Sequence, residues 1–435
     1  MTQPSVAVVG AGISGLTAAY LLRESHRVTV HEVEPRLGGH THTHDVTDAE
    51  GAGHAVDTGF IVHNDRTYPL LRALFAELGI EVRPTEMSMS ISCAGCGLEY
   101  AGGRGAKGIL AKPAQLRDLR FPRMLSAVTR FNRSARRYLQ QTPESDLTSL
   151  GDWLGERGFD DYFVQHYAVP VVSCVWSSGH ATALRYPARY LFRFLEHHGL
   201  LQLSDSPQWF TVVGGSRTYV DAIAARLPDV RTGDPVVQVS RDTSRGGPVT
   251  VRTAGGSLET YDQIVLATHA DQALAMLADP TADEKRVLGS FGYSVNPTLL
   301  HTDSSLLPTA PRARSSWNYA MADCAESAAG ARVSYWMNRL QGHESAQDLV
   351  VTLNDSGRVD PALVLARMSY THPEYTPESV AAQAELPGLG SPNTAYAGAY
   401  HGWGFHEDGC RSGHAAAAWT ARHTPARASG AETSV

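Results

Sequence analysis

The chain lacks long apolar runs and sustained basic runs. Its 435 residues contain no window of the roughly eighteen unbroken apolar residues that a membrane-spanning helix needs, and no basic leader precedes the first apolar segment. Lysine and arginine number 37 against 44 acidic residues, which gives a formal net charge of −7. We therefore expect a soluble, cytoplasmic protein that has no integral membrane span and requires neither nucleic acid nor an anionic membrane as a partner.

Cysteine is also scarce, with five residues in the whole chain. Such sparse use suggests a reducing compartment. Cys93 and Cys96 form a CxxC, which can be half of a zinc site or a redox pair. Zinc needs four ligands, however, and Cys174, Cys324 and Cys410 offer no second CxxC. We expect no metal site and interpret Cys93–Cys96 as the glycine turn of a hairpin, with a redox pair as the alternative.

The first forty residues contain a complete dinucleotide-binding pattern. Val6–Val9 is apolar throughout, as expected of a parallel strand covered on both faces, and Leu16–Leu22 predicts a helix. In the turn Gly10–Gly15 between them, the first glycine permits the tight turn, the second lets the backbone approach a pyrophosphate, and the third lets the helix lie close on the strand. Glu32 follows at the end of a second strand, where its carboxylate can bind a ribose diol.

The segment Arg36–Gly39 comes just past this acid and carries an Arg-x-Gly-Gly signature. With it, the sequence resembles the two-dinucleotide-binding flavoproteins, and among them the flavin-containing amine oxidase superfamily, which includes phytoene desaturases and protoporphyrinogen oxidases. In that superfamily the signature lies beside the FAD diphosphate, so the resemblance implies FAD as the cofactor. The sequence departs from the pattern at His40, where many relatives carry arginine.

Further segments extend the resemblance over nearly the whole chain. Tyr396–Tyr400, the glycine-rich turn 402–409 and the alanine-rich helix after it resemble the motif that covers the pyrimidine end of the flavin, where a helix N-terminus stabilises negative charge. Asp57–Phe60 resembles an Asp-x-Gly near the flavin, with a simple strand-entry turn as the alternative, and Pro235–Val239 resembles the strand that brackets the adenine. The resemblance thus implies a set of cofactor-binding residues: Gly10, Gly12, Ile13, Ser14, Gly15, Glu32, Val33, Arg36, Gly38, Gly39, His40, Thr58, Gly59, Phe60, Val237, Gly404, Phe405, His406, Glu407 and Asp408.

The expected fold class is α/β, with a Rossmann-like FAD domain of the two-dinucleotide-binding type and an interleaved α+β substrate domain, as in amine oxidases and phytoene desaturases. We assign residues 1–85, 207–290 and 388–422 to the FAD domain and residues 86–206 and 291–387 to the substrate domain. Residues 423–435 are expected to form a disordered tail. Ala55–Val62 is interpreted as a single strand with Asp57 and Gly59 near its start.

Residues 110–203 are predicted to be mainly helical and rich in large apolar side chains, which suits the wall of an apolar cavity or an ordinary core. The basic, amphipathic segment Arg117–Tyr138 is interpreted as a packed helix, with a peripheral lipid contact as the alternative. Amine oxidases commonly use a lysine that holds water near flavin N5. Lysine is scarce here, and Lys107, Lys112 and Lys285 lack a convincing context. His40, His301 and Trp403 are the candidate catalytic residues. Histidine exchanges protons near neutral pH, and Trp403 is an aromatic candidate close to the carboxyl-terminal motif.

Only one complete glycine fingerprint is present, because Val213–Arg217 lacks the third glycine. Electrons are therefore expected from an organic substrate rather than a nicotinamide, with molecular oxygen as a candidate acceptor. Val56–Val62, Ser315–Tyr319, Tyr335–Gln341 and Gly404–Gly409 resemble a bacterial branch found with cyclopropane-fatty-acid-synthase-type methyltransferases, which implies work on fatty acyl chains. We expect an FAD-dependent oxidase, dehydrogenase or desaturase acting on an apolar small molecule. An amine oxidase and a non-catalytic partner of a lipid methyltransferase are the alternatives.

Overall fold

The computed structural model describes residues 3–202, 206–242, 247–324 and 332–424. Contacts divide the chain into two compact units. The first unit comprises residues 1–39, 220–290 and 383–435, and the second comprises residues 40–219 and 291–382. Residues 40–85 and 207–219, predicted as part of the FAD domain, fall in the second unit, and residues 383–387 fall in the first. The predicted tail lies outside the described residues from position 425 onward.

The elements are numbered in chain order. The strands are β1 Ser5–Val9, β2 Arg27–Glu32, β3 Thr43–Thr47, β4 Gly53–Asp57, β5 His63–Asn64, β6 Val82–Thr85, β7 Met89–Cys93, β8 Glu99–Gly102, β9 Trp209–Val212, β10 Val230–Thr232, β11 Val236–Ser240, β12 Val249–Thr253, β13 Leu258–Tyr261, β14 Gln263–Leu266, β15 Gly292–His301, β16 Trp317–Met321, β17 Val333–Trp336, β18 Val350–Leu353, β19 Val364–Glu374 and β20 Thr394–Tyr396. The helices are α1 Ile13–Leu22, α2 Pro69–Leu78, α3 Gly105–Ile109, α4 Arg120–Gln141, α5 Leu150–Glu156, α6 Asp161–Phe163, α7 Val169–Trp176, α8 His180–Arg185, α9 Ala188–His197, α10 Arg217–Ala224, α11 Ala270–Met276, α12 Ala282–Leu288, α13 Met337–Leu340, α14 Pro377–Gln383 and α15 His406–Arg422.

The first unit is built on a five-stranded parallel sheet in the order β10-β2-β1-β14-β20. Its central strand β1 is fully buried, as its all-apolar sequence predicts. Helix α15 packs closely against α1 because glycines face the contact: a Cβ on Gly413 would lie 2.4 Å from the carbonyl oxygen of Ser14. The hairpin β12–β13 and its partner β11 form a separate antiparallel sheet.

The second unit contains a seven-stranded mixed sheet in the order β19-β15-β18-β17-β16-β7-β8. At its centre, strand β18 pairs antiparallel with both β15 and β17. The segment from α4 to α9 is helical, as predicted, and a π-helical turn at Val164–Ala168 joins α6 to α7. The α/β class and the flavoprotein-like mixture of parallel and antiparallel sheets are thus confirmed.

One predicted strand is wrong in extent. Strand β4 ends at Asp57 instead of continuing to Val62, so the acid lies at the end of the strand and not at its start. Beyond the strand end, the backbone N–H groups of Thr58 and Phe60 still donate to the carbonyls of His42 and His40. A Cβ at Gly59 would lie 2.1 Å from the His40 carbonyl oxygen, so only glycine permits this approach.

Among the described residues, no helix combines the length and apolar character needed to cross a lipid bilayer.

Candidate functional site

The glycine turn of the first unit connects β1 to α1, and its three glycines have different surroundings. Gly10 has a φ of +98°, and a Cβ there would lie 2.7 Å from the carbonyl oxygen of Ala267. A Cβ on Gly15 would overlap the Gly10 carbonyl. Both glycines are therefore required by packing of the protein itself. Gly12 differs, because a Cβ there would meet nothing within 4 Å. The open space at Gly12 is the cradle that a pyrophosphate would fill.

Glu32 lies at the end of β2, with 8% of its surface exposed. One carboxylate oxygen accepts the Ala11 backbone N–H at 2.7 Å, and the other accepts the Glu34 N–H at 3.0 Å. These bonds fix the acid beside the glycine turn, at the position from which a carboxylate binds a ribose diol. The neighbouring Val33 is 62% exposed.

The Arg-x-Gly-Gly segment closes over the same turn. The Gly38 N–H donates to the Ala11 carbonyl at 2.8 Å, and Gly38 forms a bridge with Gly12. Arg36 donates to the Gly39 carbonyl at 2.7 Å and pairs with Glu34 at 2.8 Å. The segment therefore places a cation and a glycine backbone next to the open face of Gly12. This donor set fits the diphosphate of a dinucleotide.

The carboxyl-terminal turn leads into α15, a helix of 17 residues that begins at His406. Asp408 is 3% exposed, and its carboxylate accepts the backbone N–H groups of Trp403 and Phe405 at 3.0 and 3.1 Å and a bond from Arg411 at 2.9 Å. Burial raises the pKa of this acid. The hydrogen bonds of Asp408 stay within its own turn and helix, so Asp408 shapes the turn at 402–405. Glu407, also predicted as a cofactor contact, is 4% exposed.

Gly404, the last glycine of the segment before α15, adopts a φ of +89°, a left-handed conformation that favours glycine. The positive end of a helix of this length favours an anionic group. Elsewhere in the first unit, Val237 lies on β11 with 45% of its surface exposed. The contacts of Val237 with adenine and of Gly404, Phe405 and His406 with the flavin stay predictions.

The other predicted cofactor residues, His40, Thr58, Gly59 and Phe60, lie in the second unit. The Thr58 hydroxyl is 2.6 Å from the hydroxyl of Tyr370. The rings of His40 and Tyr370 lie 5.2 Å apart, and the rings of His40 and His372 lie 5.3 Å apart. Tyr370 also hydrogen-bonds to a neighbouring histidine, with its hydroxyl 3.2 Å from Nδ1 of His42. His40 thus belongs to a histidine–tyrosine cluster.

The sequence pattern missed Tyr370 and His372 as members of this cluster. Both lie on the long edge strand β19, where alternation predicts only which face a residue occupies. His372 Nδ1 is held by the side-chain amide of Asn296 at 3.0 Å, across the β15–β19 pair. Because the pairing joins segments far apart in sequence, no local signal could have identified these partners.

Asp57 organises the backbone next to this cluster. It is fully buried, and its two carboxylate oxygens accept bonds from the Thr43 hydroxyl, from the backbone N–H and hydroxyl of Ser216, and from the Gln341 amide, at distances from 2.6 to 3.0 Å. Burial raises the pKa of Asp57 to about 6, although these hydrogen bonds oppose the shift. Asp57 is therefore a structural junction, as its lack of exposure requires.

His301, predicted as catalytic, is also fully buried. Its Nε2 lies 2.7 Å from the Thr352 hydroxyl, and its Nδ1 accepts the Asp303 N–H at 3.1 Å. Burial lowers the pKa of His301 to about 4. With both nitrogens engaged inside the sheet, His301 lacks the access that proton exchange with a substrate requires. The structure gives it a packing role. Trp403 lies half-buried in the turn held by Asp408.

The apolar helical block contains a closely packed aromatic core. Phe131 lies at its centre, and its ring has edge or tilted contacts with five other rings at centroid separations of 5.4 to 6.0 Å. Four of these five partners, Trp153, Phe159, Phe163 and Phe192, are at least 93% buried. Around Phe131, the side chains therefore form ordinary core packing, which was one of the two alternatives for this block.

A partly accessible apolar surface instead lies on the seven-stranded sheet. Four side chains from β7, β16 and β17 pack around buried Cys174 and Val333 while keeping intermediate exposure. We call them the aromatic sheet face: Met89, Trp317, Tyr319 and Tyr335. Burial raises the pKa of the Tyr335 hydroxyl, while the residue as a whole keeps intermediate exposure.

All three lysines are among the described residues, and none is buried. Lys107 and Lys285 are exposed on short helices of separate units. Lys112 pairs with Glu99 at 2.9 Å near the surface of the second unit.

Comparison with known proteins agrees with this arrangement. A family model described as flavin-containing amine oxidoreductase matches residues 13–306. No curated protein sequence matches the chain significantly. Solved structures with a similar fold include cyclohexylamine oxidase from Brevibacterium oxydans IH-35A, with a TM-score of 0.70 and 17% identity over 97% of this chain and 99% of that one.

Two further structures have similar scores. Wild-type putrescine oxidase bound to putrescine has a TM-score of 0.66 and 16% identity, and the alignment covers 96% of this chain and 98% of that chain. A fatty acid isomerase from P. acnes has a TM-score of 0.66 and 15% identity, with the same coverage. At these identities the likeness establishes the fold.

Proposed function

We propose, on the premise that the chain belongs to the family of flavin-containing amine oxidoreductases, that its substrate is an apolar small molecule of the fatty-acyl class. The chain is an FAD-dependent oxidoreductase. The family assignment thus favours an enzyme over a non-catalytic flavoprotein partner of a lipid methyltransferase. The substrate class, the acceptor and the catalytic residues are the parts that we propose.

The residues of the first unit fit FAD. Gly12 leaves open space for a pyrophosphate, Arg36 supplies a cation and Glu32 a ribose acceptor. When bound, FAD supplies an acceptor for a hydride at N5. In the proposed reaction the substrate would lose a hydride and a proton, and molecular oxygen would be the final acceptor of the two electrons, giving hydrogen peroxide. His40 is the retained candidate for the proton, because it is partly accessible and belongs to the histidine–tyrosine cluster.

The observation that carries the choice of substrate is the position of the lysines. An amine oxidase of the common type places a lysine in its interior to hold water near N5. Here Lys107 and Lys285 are exposed, and Lys112 is engaged by Glu99. The chain thus has no lysine for that role, and an amine substrate is disfavoured.

The aromatic sheet face supports an apolar substrate. Met89, Trp317, Tyr319 and Tyr335 offer accessible apolar surface, while Cys174 and Val333 behind them are buried and uncharged. Burying apolar ligand surface gains roughly 25 cal/mol per Å², or about 0.8 kcal/mol per methylene. The fold-level likeness to a fatty acid isomerase is consistent with such a ligand.

The experiment is a titration of the flavin spectrum with fatty acyl compounds of increasing chain length. Affinity should rise about three- to fourfold per carbon until the ligand covers the aromatic sheet face. Met89→Gln places an amide on the aromatic sheet face and should weaken binding of the longest compound roughly tenfold, since a buried unpaired amide costs about 1–3 kcal/mol. Val295→Gln is the matched control, because Val295 is 64% exposed on the same sheet.

A panel of primary amines, assayed for peroxide, tests the alternative. If affinity does not depend on chain length and a short amine binds tightly with peroxide formation, the protein is an amine oxidase and the acyl proposal fails.

A further inference from the structure

A cluster of three cysteines and one histidine lies in the second unit, near the ends of strands β7 and β16. Cys93, Cys96, His166 and Cys324 place one ligand atom each so that all four atoms lie within 4.8 Å of one another. We propose that these four side chains bind a structural zinc ion. No other group of at least three such ligands was found among the residues that the structure describes.

The distances within the cluster match a single tetrahedral metal. Zn–S and Zn–N bonds of about 2.3 and 2.05 Å place tetrahedral sulfurs about 3.8 Å apart and a sulfur about 3.6 Å from a nitrogen. The sulfurs of Cys93 and Cys324 are 3.8 Å apart, and the sulfur of Cys96 is 3.7 Å from Nε2 of His166. The separation is too small for an iron–sulfur cluster, whose cysteines surround several metal atoms.

The histidine is oriented for metal binding. Nδ1 of His166 lies 2.9 Å from the backbone carbonyl of Tyr162, a contact in which the nitrogen must donate because a carbonyl can only accept. The proton then resides on Nδ1, and the lone pair of Nε2 points toward the cysteines. A hydrogen bond from the distal nitrogen to a carbonyl is the usual support of a zinc-bound imidazole.

The fold brings these ligands together from three segments. Cys93 ends β7, and Cys96 lies in the turn that leads to β8, which confirms the predicted hairpin. Strand β16 runs parallel to β7 with Met321 opposite Cys93, so the chain after it places Cys324 beside the hairpin. The turn approaches that chain closely, because a Cβ on Gly95 would lie 2.8 Å from Cα of Asp323. The CxxC spacing alone predicts no metal site, because Cys324 comes close to Cys93 and Cys96 only through the pairing of β16 with β7.

Four protein ligands close the coordination shell, so the metal has no open position for a substrate. Its role is to tie the β7–β8 hairpin and the end of β16 to the π-helical turn that contains His166. The partial exposure of Cys96, which lines a surface pocket with Lys112 and Tyr162, gives a path for metal entry.

The test measures metal content in protein purified without chelators or a metal-affinity tag. Mass spectrometry of the intact, natively sprayed protein and elemental analysis should both find about one zinc per chain. Cys96→Ser should lower the zinc content at least tenfold. Cys174→Ala is the matched control, because Cys174 is a free, buried cysteine outside the cluster, and it should retain zinc. Flavin content serves as a separate readout, so a failure here is distinct from a failure of the proposed function.

The wild-type protein alone decides the question if Cys96→Ser does not fold. A mercurial reagent that titrates the thiols should release zinc in proportion to the modification of Cys93, Cys96 and Cys324, and cobalt replacement should give thiolate-to-cobalt absorption. Absence of zinc from the wild type, retention of zinc by folded Cys96→Ser, or a disulfide between Cys93 and Cys324 in freshly isolated protein would each overturn the proposal.

Discussion

Replacing Asp57 by asparagine tests whether the buried carboxylate joins separate segments of the second unit. The carboxylate accepts hydrogen bonds from Thr43, 14 residues away in sequence, and from Ser216 and Gln341, which are 159 and 284 residues away. In Asp57→Asn, an NH2 group replaces one acceptor and faces a donor, the Gln341 amide or the Ser216 N–H. A buried donor left without an acceptor costs about 1–3 kcal/mol. We expect the free energy of unfolding to fall by that amount at pH 7.

The pH dependence gives a sharper test. The pKa of Asp57 is raised to about 6 in the folded protein, against about 3.9 in an unfolded chain. A raised pKa means that this group adds stability at low pH, and that the stability is lost as the pH rises through 6. Between pH 7 and pH 5 the wild type should therefore gain about 1.3 kcal/mol from Asp57, which asparagine cannot provide.

Calorimetric unfolding of both proteins from pH 7 to pH 5 measures this difference, which corresponds to roughly 1.5 °C in the midpoint for a chain of 435 residues. Other titrating groups cancel in the comparison. Asp45→Asn is the control: Asp45 lies on the adjacent strand β3 in an exposed pair with Arg217, which lowers its pKa. It stays ionised throughout this range, so its difference from wild type should not change with pH. A constant gap between wild type and Asp57→Asn would refute the reasoning.

Two further predictions follow from the glycine turn and from the fingerprint count. Gly12→Ala should not change the unfolding of the flavin-free protein, because a Cβ there meets nothing within 4 Å, but it should weaken FAD binding at least tenfold (about 1.4 kcal/mol). Gly413→Ala should instead destabilise the protein itself, because its Cβ would lie 2.4 Å from a carbonyl oxygen. Equal effects of the two variants on the free energy of unfolding would contradict this account. NADH and NADPH should not bleach the flavin under anaerobic conditions at turnover rates, because the second glycine motif is incomplete; rapid bleaching in a stopped-flow experiment would show a nicotinamide site.

Local patterns predicted the features whose causes are local. The strand–turn–helix at the amino terminus and Glu32 follow from glycine spacing and apolar runs, and the structure confirms the elements. Strand β4 was predicted too long, because its end depends on Gly59 meeting the carbonyl of His40 and not on residue type. A turn forced by an approach between two segments leaves no propensity signal.

The substrate side was less predictable, because tertiary pairing decides it. Histidine near neutral pH is a reasonable catalytic candidate, but pairing with Thr352 and Asp303 buries His301. The aromatic side chains around Phe131 pack against one another and form a core. The Cys93–Cys324 contact depends on the parallel pairing of β7 with β16, which joins segments more than two hundred residues apart.

The identity of the bound flavin tests the central claim most directly. Protein purified in the dark should be yellow, and denaturation should release FAD, identified by chromatography and mass, at about one molecule per chain, because Gly12, Glu32 and Arg36 together form a dinucleotide cradle. Release of FMN alone, or a colourless protein that cannot be reconstituted with FAD, would contradict the account.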